Sequence, residues 1–74
     1  MSVVIWSKPN CMYCEAAKKL LTKKNMDYDE RIIGAEWTRE QLLEAVPNAR
    51  TVPQIFINDQ LIGGYTELSK HFGL

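Results

Sequence analysis

The feature that most constrains this chain is a pair of cysteines, Cys11 and Cys14, in a sequence that has no others. A disulfide closing so short a loop removes little entropy from the unfolded chain. Small secreted domains that depend on disulfides normally carry more of them, joined across longer loops. Bridges therefore do not hold this chain together, and a hydrophobic core must. At 74 residues a chain buries only roughly 60–65% of the surface its unfolded form exposes. That predicts one modest core and one domain, spanning 1–74. Zinc held by one chain is disfavoured as well. A structural site takes four ligands, and His71 is the only histidine. The pair is better explained by chemistry than by stapling or metal binding.

Composition narrows the function classes. Apolar residues make up 46% of the chain and the formal net charge is zero. Charges of both signs are interspersed, which disfavours disorder. No basic stripe points to nucleic acid. The apolar stretch from Met1 to Trp6 is too short for a leader and lacks a basic start and a small-residue cleavage site. No run approaches the length of a membrane span. The expectation is a soluble, cytoplasmic monomer with neither nucleic acid nor membrane as partner.

Val3 to Trp6 is a continuous apolar, β-branched run bounded by Ser7-Lys8-Pro9-Asn10, which predicts a buried strand and a turn. From Cys11 or Met12 to about Lys24 the pattern becomes helical. Tyr13, Ala17, Leu20 and Leu21 share one face, and Glu15, Lys18, Lys19 and Lys23 lie on others. Asn25 is a stop. Tyr28 to Ile33 is a more polar strand at a sheet edge, ended by Gly34. Thr38-Arg39-Glu40-Gln41 has the form of a capping box. It opens a helix that turns Leu42, Leu43 and Val46 inward and stops near Pro47-Asn48. Trp37 precedes the cap as a hydrophobic staple. Gln54 to Ile57 and Gln60 to Ile62 are short strands joined by an Asn58-Asp59 hairpin turn. After Gly63-Gly64 a last helix runs from about Thr66 to Phe72, with Leu68 and Phe72 on its buried side. The order is β-α-β-α-β-β-α: an α/β fold with a four-stranded mixed sheet flanked by three helices. The first β-α-β is expected to join parallel strands.

The chemistry starts from reactivity. Only the thiolate attacks a disulfide, and an ordinary cysteine is mostly protonated at neutral pH. Cys11 lies at the start of the first helix, where backbone N–H groups lack partners and the dipole favours negative charge. Lys8 lies three residues upstream and adds a full positive charge. Both effects favour a Cys11 thiolate. Cys14 returns to the same side one turn later and is expected to be more buried and less acidic. Cys11 is thus the nucleophile, and Cys14 the thiol that resolves the mixed disulfide. The competing reading is two core cysteines that happen to be close. A CxxC at the first strand–helix junction of such a pattern reads as a thioredoxin-like redox motif.

Three segments then resemble the glutaredoxin family: Lys8-Pro9-Asn10-Cys11-Met12-Tyr13-Cys14, Thr51-Val52-Pro53-Gln54-Ile55-Phe56-Ile57, and Gly63-Gly64-Tyr65-Thr66-Glu67. With the element order, they span nearly the whole chain. The resemblance implies a thioredoxin-like fold in its minimal form and a glutathione-dependent thiol–disulfide oxidoreductase. Glutathione would be co-substrate, with no metal expected. Disulfide-containing or glutathionylated proteins would be the partners, and ribonucleotide reductase is one open possibility among them. The resemblance further implies a cis bond before Pro53, which would leave the Val52 N–H and C=O free to pair with extended glutathione. It places Thr51 and Val52 along that ligand and Tyr13 beside the sulfurs. Lys8 and Arg50 are candidates for the glycine carboxylate; Arg39, in the first turn of a helix, is a lesser one. Gly64, Tyr65 and Thr66 would hold the γ-glutamyl carboxylate, and Glu67 its ammonium group. For Thr66 a plain N-cap is the simpler role. His71 is expected to be a surface or packing residue.

The chain departs from the commonest family pattern at Met12, where many members have proline. Methionine restores a backbone N–H that proline lacks and frees φ. That change is expected to alter the Cys11 thiolate and the redox potential. Two alternative functions stay open at this point. One is a thioredoxin-like electron carrier served by a reductase. The other is an iron–sulfur module in which two chains each give Cys11 and two glutathiones complete the ligand set.

Overall fold

The central strand is the one whose residues are apolar on both sides. In the computed structural model, which describes residues 2–74, β1 (Val3–Ser7) lies between an edge strand and a hairpin. Met1, the first residue of the stretch read above as too short for a leader, lies outside the described residues. Helix α1 (Met12–Lys23) crosses over to β2 (Asp29–Ile32), which pairs with β1 in parallel. After α2 (Arg39–Ala45), strand β3 (Gln54–Ile57) pairs with β1 antiparallel, β4 (Gln60–Gly63) pairs with β3, and α3 (Tyr65–His71) closes the chain. The sheet order is β2-β1-β3-β4. The element order and mixed sheet are those the sequence predicts. β2 is the expected edge strand, and its Asp29-Glu30-Arg31 is too polar for a central position.

Alternation along β1 divides the core in two. Val3 and Ile5 face α1 and α3 and pack with Ala17, Leu20, Leu21, Ile55, Ile57 and Leu68. Trp6 faces the other way and packs with Leu42 and Val46 at α2. Trp37 meets Trp6 edge-on at 5.2 Å between ring centres, and the Arg31 guanidinium lies over Trp37 at 4.4 Å. Trp37 thus folds the entry to α2 onto the core, as its place before the cap predicts.

Local chemistry fixes the turns. Thr38 Oγ1 accepts from the Gln41 N–H at 3.2 Å, while Gln41 Oε1 accepts from the Thr38 N–H at 2.8 Å. This is the capping box read from the sequence. Thr38→Ala is expected to lower unfolding stability by about 0.5–2 kcal/mol, seen as a lower urea midpoint with unchanged slope. Asn58 and Asp59 have φ of 51° and 66°, as a tight hairpin with two left-handed residues requires. Asn25, at φ 58°, turns the chain after α1.

Two expectations are corrected. Tyr13 does not share the buried face of α1: it is 64% exposed, and Cys14 takes the inward position at 0%. The inward stripe is Cys14, Ala17, Leu20 and Leu21, because the face is set by how α1 seats on the sheet. The last helix starts at Tyr65 with Gly64 as its cap residue, so Thr66 is inside the first turn and is not the N-cap. No helix of the described residues is long and apolar enough to cross a membrane.

Candidate redox site

β1 delivers the chain to the site, and its last residues set the polarity beneath it. Ser7, 1% exposed, ends β1 on the side that faces α1. Its hydroxyl donates to Glu30 Oε2 at 2.7 Å, and Lys18 Nζ donates to the same oxygen at 2.9 Å. Lys18 also reaches Glu15 at 2.8 Å. Burial pushes the Glu30 carboxyl up, but the bonds from Ser7 and Lys18 and the Lys18 charge outweigh it, and the net shift is downward. The bonds to Glu15 and Glu30 move Lys18 upward.

The sign of the pH effect follows. A lowered glutamate stabilises the fold above its ordinary value of about 4.3 and loses that contribution as pH falls through the folded value. A raised lysine contributes below its ordinary value of about 10.4 and loses that contribution as pH rises through the folded one. Glu30→Gln is therefore expected to cost about 1–2 kcal/mol near neutral pH. In urea titrations at a series of pH values, the gap to wild type closes in strong acid. A gap constant down to pH 2 would count against the pairing.

Pro9 and Asn10 then redirect the chain. Asn10 adopts φ 57°, a left-handed conformation asparagine tolerates, and Cys11 follows as the N-cap of α1. Its sulfur stands where a serine or aspartate oxygen usually caps a helix. It accepts the Cys14 N–H at 3.2 Å. The two cysteines are joined as a disulfide. Cys11 keeps 8% of its surface while Cys14 has none, which is the inequality their proposed roles need. Met12, between them, is 83% exposed.

Of the other predicted residues, Val52 lies beside this sulfur. Cys11 Sγ lies 3.8 Å from the carbonyl oxygen of Val52. The Val52–Pro53 bond is cis, as the resemblance implies. Val52 precedes the β3 ladder, which begins at Gln54. Lys8, Arg50, Thr51 and Val52 line one cavity of about 210 Å³. On the other side, a side-chain carbon built at Gly64 would lie 3.4 Å from the Pro53 carbonyl oxygen. The Tyr13 and Tyr65 rings are 6.2 Å apart. Glu67 Oε1 accepts the Gly64 N–H at 2.8 Å, so one carboxylate oxygen caps α3. Thr66 is exposed beside it. His71 is exposed and meets Phe72 edge-on, at the last turn of α3. Among the described residues, no three His, Cys, Asp or Glu side chains are grouped to hold a metal.

Sequence reading missed two parts of this region. Leu43 and Ala49 also line the cavity, beside the lesser candidate Arg39 and the core residue Leu42, although helical periodicity turned Leu43 inward. The Ser7–Glu30–Lys18 network joins three elements. Its available signal was the alternation of β2, which puts Glu30 opposite Ile5.

The glutaredoxin family model matches residues 3–62. The chain is 41% identical over 71 residues to the hybrid peroxiredoxin hyPrx5 of Haemophilus influenzae, covering 96% of this chain but only 29% of that protein. It is 37% identical over 67 residues to glutaredoxin 3 of Escherichia coli K12, covering 90% of this chain and 81% of that one. Among solved structures, glutaredoxin 1 from Francisella tularensis superposes with TM-score 0.84 at 35% identity, covering 96% of this chain and 91% of that one. A buckwheat glutaredoxin–glutathione complex gives TM-score 0.80 at 32% identity, with 95% and 67% coverage.

Proposed function

The chain belongs to the glutaredoxin family of thiol–disulfide oxidoreductases, and from that premise we propose that it reduces protein disulfides and glutathione mixed disulfides with glutathione as electron donor. The observation that carries this reading is the Cys11 sulfur beside the Val52 carbonyl, with the Lys8 and Arg50 cavity adjoining. The glutathione complex of the buckwheat relative supports the donor.

The unequal burial of the two cysteines supports the following steps. A Cys11 thiolate, held by the Cys14 N–H, attacks one sulfur of a substrate disulfide. The Cys11–substrate bond forms, the substrate S–S bond breaks, and the first substrate thiolate leaves. Cys14 gives up its proton and attacks the Cys11 sulfur, which closes the internal disulfide and releases the second substrate thiol. One glutathione thiolate then opens that disulfide at Cys11 and frees Cys14. A second attacks the bound glutathione sulfur and leaves as oxidised glutathione. Two glutathiones are oxidised for each disulfide reduced.

Glutathione lies extended along Thr51 and Val52, pairing with the Val52 backbone as an added strand. Lys8 and Arg50 take its glycine carboxylate. The Tyr13 ring flanks its sulfur, and Gly64, Tyr65 and Thr66 receive the γ-glutamyl end. Glu67 keeps its second oxygen for the ammonium group while the first caps α3.

The test supplies electrons by two routes, glutathione with glutathione reductase or a thioredoxin reductase with NADPH. Turnover of a small glutathione mixed disulfide is expected only by the first route. Turnover only by the second would replace this reading with that of a reductase-served carrier.

A further inference from the structure

We infer that the cavity beside Val52 docks an acidic residue next to the reactive cysteine of a polypeptide substrate, so that the chain selects acidic disulfide segments. This rests on the oxidoreductase reading above and names its substrate class.

Three cations line the cavity: Lys8 from the turn before Cys11, Arg39 from the first turn of α2, and Arg50 from the segment before Val52. No carboxylate lines it. Among the described residues the ion pairs are both made by Lys18, so none of the three cations forms one there. The chain as a whole has zero formal net charge. The positive charge here is therefore a local arrangement and not a general excess.

The chemistry of the occupant follows from the lining. Lys8, Arg39 and Arg50 together favour a carboxylate over a neutral or cationic side chain. The floor is apolar, from Leu42, Leu43 and Ala49. Such a site suits an aspartate or glutamate side chain whose methylenes lie on the leucines. Val52 belongs to the cavity wall and its carbonyl touches the Cys11 sulfur. An extended chain advances about 3.3 Å per residue, so the acid must lie within a few residues of the attacked cysteine.

The test is a single-turnover reaction of prereduced protein with synthetic disulfide peptides, in the absence of glutathione, which would itself occupy the cavity. The peptides are identical except for Glu, Gln or Lys on both sides of the reactive cysteine. At low salt the Glu peptide is expected to react about tenfold faster than the Lys peptide, with the ratio falling towards one in high salt. Arg39→Glu should abolish or invert the Glu/Lys ratio, and Arg39→Lys should retain it. A ratio is read because general damage to the protein would slow both peptides alike. Equal rates for all peptides, or a ratio untouched by Arg39→Glu, overturns the docking proposal alone. Failure of the wild type to reduce any peptide or a small disulfide overturns the oxidoreductase reading and this proposal with it.

Discussion

Cys11→Ser is expected to lower kcat/KM in a glutathione-coupled assay by about a thousandfold or more, because a neutral hydroxyl does not replace a thiolate in attack on sulfur. Cys14→Ser is expected to act differently. It should keep reduction of glutathione mixed disulfides and lose reduction of protein disulfides that need a second thiol from the same chain. The asymmetry comes from position. Cys11 caps α1, retains 8% of its surface and accepts a backbone N–H. Cys14 is sealed, at 0%, and reaches only what is already attached to Cys11. A mixed disulfide with glutathione can be resolved by a second glutathione from solution, so Cys14 is dispensable for that substrate. A protein disulfide bound through Cys11 needs the internal thiol. Both variants measured against both substrates give four rates. Residual Cys11→Ser activity near that of wild type would remove Cys11 as nucleophile.

The parts of this fold that were legible in the sequence are those fixed by neighbours along the chain. Thr38 and Gln41 form their box within one helical turn, and Asn58-Asp59 closes a hairpin between adjacent strands. The central strand shows itself because both of its faces are apolar. What the sequence left ambiguous depends on distant partners. Tyr13 and Cys14 lie four and three residues before Ala17, so either fits the helical stripe. Only the seating of α1 on the sheet puts Cys14 inside. The Lys18–Glu30 pair spans two elements and could not be read from either alone. At α3 the cap residue is glycine, which has no side chain to announce a box. Glu67 therefore read as a ligand group, when one of its oxygens already holds the Gly64 N–H. The proposed glutathione groove was legible as a set of motifs because the family resemblance supplied them. The same resemblance named Lys8, Arg39 and Arg50 together, but not the apolar lining of their cavity, since periodicity turned Leu43 to the core and Ala49 follows the helix.

Gly63→Ala is expected to destabilise the fold by about 2–4 kcal/mol, from backbone strain and a displaced cap together. Gly63 has φ 122°, a conformation that side chains rarely adopt. A β-carbon there would lie 2.9 Å from Glu67 Cγ and 3.0 Å from both its Cβ and Oε1. The tip of Glu67 can move, but its Cβ is fixed to the helix, and moving the tip gives up the bond to Gly64. Glu67→Ala should relieve the contacts at Cγ and Oε1 at the cost of the cap. The double variant is then expected to lose about 1 kcal/mol less than the two single losses added. Strictly additive losses would mean that backbone strain carries the whole effect. A Gly63→Ala protein within about 0.5 kcal/mol of wild type in urea would show that the segment relaxes and that the positive φ is not required. The same segment carries Gly64, Tyr65 and Thr66, to which we assign the γ-glutamyl end of glutathione, so glutathione turnover should fall with stability.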